Sequence, residues 1–147
     1  MRWILLFLFV YINAAELKIT SKVFNYDPKK QISVFKEDVN ATKEKDNILC
    51  DELIVYFDKN KKAKKIIAKG NVEFIIALDK NSTYKGKGKF LVYDLKKGDV
   101  VLNKGKIVKI ETNESIKGDK IILNRINKSA KVIGSKKPVE IIIKVNE

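Results

Sequence analysis

From residue 16 onward, apolar residues come in short, β-branched runs broken by turns rich in Lys, Asn, Asp and Gly. No stretch sustains a 3.6-residue period, so the pattern predicts strands rather than helices. The runs at 31–35, 53–57, 71–74, 89–93 and 119–123 read as strands of an all-β domain. Alternation places Leu53, Val55 and Phe57 on one face, Leu91 with Tyr93, and Ile121 with Leu123. On the returning strands, Ile32 with Val34 and Val100 with Leu102 are expected to join that face. At Ile66-Ile67 and Ile75-Ile76 both faces are apolar, which points to burial on two sides or to a contact between subunits.

The runs repeat. Tyr26-Asp27-Pro28-Lys29-Lys30-Gln31-Ile32 leads to Val39, and Phe57-Asp58-Lys59-Asn60-Lys61 leads through Ile66 to Val72. Tyr93-Asp94-Leu95-Lys96-Lys97 leads through Val100 to Ile107, and Leu123-Asn124-Arg125-Ile126-Asn127 leads through Val132 to Val139. The landmarks Val39, Val72, Ile107 and Val139 are 33, 35 and 32 residues apart. Each unit reads as a hairpin whose Asp or Asn bonds its own backbone in the turn, leaving the lysines solvated at the tip. A lone hairpin cannot bury its apolar face, so successive hairpins are expected to pair or stack. A Lys-Gly step recurs at Lys69-Gly70 and Lys104-Gly105.

The first fifteen residues differ. Arg2 precedes ten unbroken apolar residues, 3–12, and then Asn13-Ala14-Ala15. A membrane-spanning helix needs about 20 apolar residues. Ten suit the core of a signal peptide with a small-residue cleavage site. The expectation is a cleaved signal over residues 1–15 and an exported domain over 16–147. No cysteine follows the run to carry a lipid anchor.

Charge narrows the function less than it first suggests. Lys+Arg is 31 against Asp+Glu 18, a formal net charge of +13, yet only Arg2 and Arg125 are arginine. Phosphate recognition in a fixed geometry favours arginine forks. There is no histidine, which removes Ser–His and Cys–His catalysis and His-ligated metals. The single cysteine, Cys50, allows no intramolecular disulfide and reads as a small buried residue. Asp51, Glu52, Asp58 and Asp94 could serve a glycosidase, but turn and strand-end roles explain them more simply. The expectation is therefore no enzyme, no metal and no cofactor.

One stretch carries a resemblance. Gly86-Lys87-Gly88 runs on to Leu91-Val92-Tyr93. Val100-Val101-Leu102-Asn103-Lys104-Gly105-Lys106-Ile107 and Ile116-Lys117-Gly118-Asp119-Lys120-Ile121 follow. Order and spacing resemble the LptA/OstA-like periplasmic lipopolysaccharide-bridge proteins of Gram-negative bacteria over most of residues 17–143. The first unit departs from that pattern, with Glu37-Asp38-Val39 where glycine is usual and Cys50-Asp51 where Ala-Asp is common.

The resemblance implies an open, twisted β-jellyroll of many short antiparallel strands, built from repeated hairpins. It implies an apolar groove for the acyl chains of lipopolysaccharide (lipid A) and head-to-tail stacking of protomers. It also implies capping by inner- and outer-membrane components of the same export machine, a periplasmic location and no catalysis. Groove-facing candidates are Ile32, Val34, Leu53, Val55, Phe57, Ile66, Val72, Phe74, Leu91, Tyr93, Val100, Leu102, Ile107, Ile121 and Leu123. The terminal runs at 17–20 and 139–145 are candidate strand edges.

Two other readings compete. One is a basic exported β-domain for nucleic acid or acidic polysaccharide; the export signal and the absence of a basic stripe with interleaved aromatics weigh against nucleic acid. The other is the inner-membrane-associated component of the same machine, which needs a full spanning helix.

Overall fold

The repeated Asp and Asn residues build the turns. Asp27 Oδ1 accepts the amides of Lys29 and Lys30, at 3.0 and 3.3 Å. Asp58 accepts those of Asn60 and Lys62, Asp94 those of Lys96 and Lys97, and Asn124 those of Ile126 and Asn127, all within 3.0 Å. Four copies of one local device thus reverse the chain at the same end of the sheet.

The computed structural model describes residues 16–145; the segment read as an export signal lies outside them. Its strands are β1 (Lys18–Thr20), β2 (Val23–Asp27), β3 (Ile32–Lys43), β4 (Asp46–Phe57) and β5 (Ala63–Asp79). They continue as β6 (Ser82–Asp94), β7 (Asp99–Lys109), β8 (Glu114–Asn124), β9 (Ala130–Ile133) and β10 (Glu140–Ile142). Among the described residues there is no helix. All ten strands form one antiparallel sheet in the order β1-β3-β4-β5-β6-β7-β8-β10, with β2 also on β3 and β9 also on β8. The two outer strands do not pair with each other, so the sheet stays open.

The six central strands are longer than the apolar runs suggested, at 11 to 17 residues. Three of their pairings carry an irregularity in mid-strand. Pairing slips between Lys36 and Val39, between Leu49 and Glu52, and between Lys69 and Val72. Left-handed backbone recurs there at Glu37-Asp38, Gly70-Asn71 and Lys104. A bulge bends and twists a strand, and these align across the sheet as a crease. The Lys-Gly step of the repeat is this corner. Gly70 needs its glycine twice over: φ is +82°, and an added Cβ would lie 2.5 Å from Asp51 Oδ2.

Folding at the crease lays the two halves of the sheet face to face. Their free tips then meet. Arg125, just past the β8 turn, donates to Asp46 at the start of β4, to the Tyr93 hydroxyl (3.0 Å) and to the Ala77 carbonyl (3.2 Å). Lys128 pairs with Asp79 at 3.5 Å beside it. Crease on one side and ion-paired seam on the other enclose a single apolar interior.

Candidate functional site

Register assembles the interior as cross-strand rows. One row is Phe35, Leu53, Ala68, Leu91, Leu102, Ile121 and Val132; the next is Ser33, Val55, Ile66, Tyr93, Val100 and Leu123. Beyond the crease, Ile19, Ala41, Ile48, Phe74, Gly86, Ile107, Ile116 and Ile141 form a third. Directly opposed residues on antiparallel strands share a face, so each row is a continuous rung, apolar but for the buried Ser33 at the end of the second. Gly86 stands opposite Phe74 because the ring needs the space: an added Cβ would lie 2.5 Å from Phe74 Cζ.

Twelve of the groove candidates lie in this interior: Leu53, Val55, Ile66, Val72, Phe74, Leu91, Tyr93, Val100, Leu102, Ile107, Ile121 and Leu123. Phe57 is half-buried and packs against its edge. Ile32 and Val34 are a correction. Their partners are Tyr56 and Ile54, on the outer face, while their neighbours Ser33 and Phe35 pair with Val55 and Leu53 inside. A shift of one residue exchanges the faces of a strand, and Val34-Phe35 is apolar at both positions, so alternation alone did not fix the phase.

Sequence reasoning missed Phe35, Ala41, Ile48, Ala68 and Ile76 as interior residues, while Cys50 lies inside with them as the small buried residue it was expected to be. Pairing Phe35 against the correctly placed Leu53 would have found the first of them. Ile116 and Ile141 were also missed as inner-face residues. Ile141 is 52% exposed although it lies opposite Ile116 on the inner face, so the interior is least covered at its C-terminal end.

Polar groups near the interior have structural partners. Burial, with the Asp51 carboxylate beside it, pushes the Cys50 thiol up to about 12, which keeps it an unreactive thiol at neutral pH. Burial raises Tyr93 as well. Burial alone would lower Arg125, but the Tyr93 oxygen and the Asp46 carboxylate outweigh it and hold the guanidinium above its ordinary value. Asp51 accepts from Asn71 Nδ2 at 2.9 Å at the crease, and Asp58 and Asp94 are occupied by turn amides. Among the described residues no cluster of three or more His, Cys, Asp or Glu is placed to hold a metal ion.

A single antiparallel sheet, creased into two layers around an apolar interior and left open at its edges, defines an open β-jellyroll. Residues 18–129 match the family described as LptA/(LptD N-terminal domain) LPS transport protein. The chain belongs to that family. Among solved structures it resembles LptH of Pseudomonas aeruginosa, described as the LptA-homologous periplasmic component of the lipopolysaccharide transport device. The TM-score is 0.77 at 16% identity, over 88% of this chain and 95% of that one. No curated protein matches the sequence.

Proposed function

We propose that this chain is a periplasmic, non-catalytic carrier that shields the acyl chains of lipopolysaccharide on their way between the two membranes. The observation that supports this reading most is the continuous apolar interior of a sheet that does not close, in a chain of the lipopolysaccharide-transport family. A fatty chain of roughly fourteen carbons left in water costs on the order of 10 kcal/mol at about 0.8 kcal/mol per methylene. A lipid with several chains therefore needs an unbroken cover. Entry at the C-terminal end, past Ile141 and Ile116, requires the least displacement of packed side chains.

Head-to-tail copies would extend the cover, using the unpaired edges β1–β2 and β9–β10 as templates. The exposed Ile141, Ile142 and Ile143 supply apolar area at one such edge. Membrane components of the same machine would cap the ends, and the N-terminal signal would deliver the chain to the periplasm. Nucleic acid is not an expected ligand.

Photo-crosslinking side chains at Val55, Leu91 and Ile121 test this in cells. The expected result is a lipopolysaccharide adduct at one or more of them. No adduct at any of the three would defeat the interior as the lipid path.

A further inference from the structure

Three lysines face one another across three adjacent strands beside the crease. Lys87 is the register partner of Lys106, and Lys106 of Lys117. Directly opposed side chains on antiparallel strands hold their Cβ atoms about 4.5–5.5 Å apart, and like charges there destabilise the pairing. The row ends in carboxylates, with Glu73 opposite Lys87 and Glu140 opposite Lys117. Lys106, at the centre, has lysine on both sides. Among the described residues no carboxylate oxygen comes within 4.0 Å of any of these three ammonium groups.

These lysines lie on the outer face. An added Cβ at Gly88 or Gly105 would run into Leu102, and at Gly118 into Val132. The glycines therefore turn their side-chain positions inward, and the adjacent Lys87, Lys106 and Lys117 point outward. They border an open concavity of about 1150 Å³, lined also by Lys104, by the glycine backbone and by the connector 135–140 between β9 and β10. Lys136 and Lys137 come from that connector. Six lysines line it against two carboxylates, and of these Asp119 already accepts the Ser135 hydroxyl.

We propose that this concavity binds a phosphorylated ligand of about the size of a phosphorylated sugar. Ammonium groups donate strong, charge-assisted bonds to phosphate oxygens. A multiply charged anion seated over Lys106 converts the repulsion along the row into attraction. The volume leaves room for a phosphate carried on a larger group. The lysine row itself lies on the face opposite the apolar interior.

Calorimetric titration of the purified chain with inorganic pyrophosphate at low salt tests the charge recognition. Lys106→Gln/Lys117→Gln is expected to weaken binding tenfold or more. Lys29→Gln/Lys30→Gln, which removes two charges at a distant turn, should change it less than twofold. Without anion, the first double variant should melt at or above wild type, because the opposed charges are gone. Pyrophosphate should raise the melting temperature of wild type only.

Micelles of a phosphorylated glycolipid and of its dephosphorylated form separate the sources. A preference for the first that disappears in Lys106→Gln/Lys117→Gln assigns the site to a lipid headgroup. Pyrophosphate binding without that preference assigns it to a free phosphorylated ligand. No heat with wild type, or equal loss in both double variants, would overturn the proposal. So would a ladder variant that only lowers self-association, since the lysines would then be docking the acidic end of the crease (Glu37, Asp38, Asp51 and Glu52) of a second copy.

Discussion

The inner and outer faces of this sheet each carry an unbroken row of apolar residues across the central strands. Inside, Leu53, Leu91, Ile121 and Leu123 are sealed from solvent. One residue along each strand, Val34, Ile54, Ile67, Val92, Val101 and Ile122 form an equally continuous row on the outer face. Apart from Ile54 that outer row is only partly covered, its β-branched side chains sheltering one another. The row beside it is mostly polar: Lys36, Glu52, Lys69, Phe90, Asn103 and Lys120. Apolar content alone therefore does not decide whether a given row is covered. The crease decides it, because only the face on the inside of the bend meets a second layer.

Neighbouring residues on opposite faces give the sharpest way to break this contrast. Leu91 is 0% exposed, and Leu91→Asp would bury a carboxylate with no partner, costing more than about 4 kcal/mol and unfolding the domain. Val92→Asp, one position away, keeps its charge near water and should cost about 1 kcal/mol. Urea denaturation followed by circular dichroism measures both. Equal costs would mean that the two faces are not distinguished by coverage at all.

The seam tests whether covering the inner face depends on the far tips as well as on the crease. Arg125→Met leaves Asp46, whose side chain is 13% exposed, without its ion partner. Breaking a fully buried pair costs about 3–5 kcal/mol, and partial exposure here reduces that to roughly 2 kcal/mol. Dye binding to exposed apolar surface should rise in the folded variant, since the layers can part at their tips. Asp46→Asn should behave in the same way. A variant as stable as wild type, with unchanged dye binding, would leave the crease as the sole organiser of the interior.

How far the sequence foretold this arrangement varies along the chain. The turns were legible because Asp and Asn at 27, 58, 94 and 124 act through bonds to amides two to four residues on, a purely local chemistry. The interior was legible wherever one face is apolar and the other polar, as at Asn71-Val72-Glu73-Phe74. It was misphased at Ile32 and Val34, where both faces are apolar and only the partner strand fixes the register. The crease was visible as a Lys-Gly step but not as a bend, because its first copy, Glu37-Asp38, reaches the left-handed backbone without glycine. The lysine ladder depends on register across three strands, and no local pattern reports that. The Arg125–Asp46 seam spans 79 residues and has no local signal either.

A smaller effect concerns how tightly the inner face is fitted. Gly86→Ala would press a methyl into the Phe74 ring and should cost about 1–2 kcal/mol, as overpacking does. Phe74→Leu frees space at the cost of aromatic burial, so the double variant should be more stable than the sum of the two single changes predicts. A double-mutant cycle in urea reads the coupling. Strict additivity would show that Gly86 serves the backbone rather than the ring.

The smallest expected effect belongs to the turns that set register for both faces. Asp58 and Asp94 lie below their ordinary carboxylate values, chiefly because the Lys62 and Lys97 amides donate to them; Glu111 is lowered by the Thr83 amide and Glu114 by the Thr112 hydroxyl. A folded value below the unfolded one, about 3.9 for Asp and 4.3 for Glu, gives stability that is fully present above the unfolded value. It is lost as pH falls through the folded value. The chain has no histidine to titrate between pH 5 and 8. The melting temperature should therefore hold level down to about pH 5 and fall below about pH 4. Asp94→Asn keeps the turn, since Asn124 makes the same two amide bonds in the fourth repeat. At pH 7 it should melt close to wild type, while its acid limb falls less steeply. An acid limb identical to wild type would show that the turn amides do not hold Asp94 down, and the pH dependence would then have to come from the carboxylates near the β7–β8 turn.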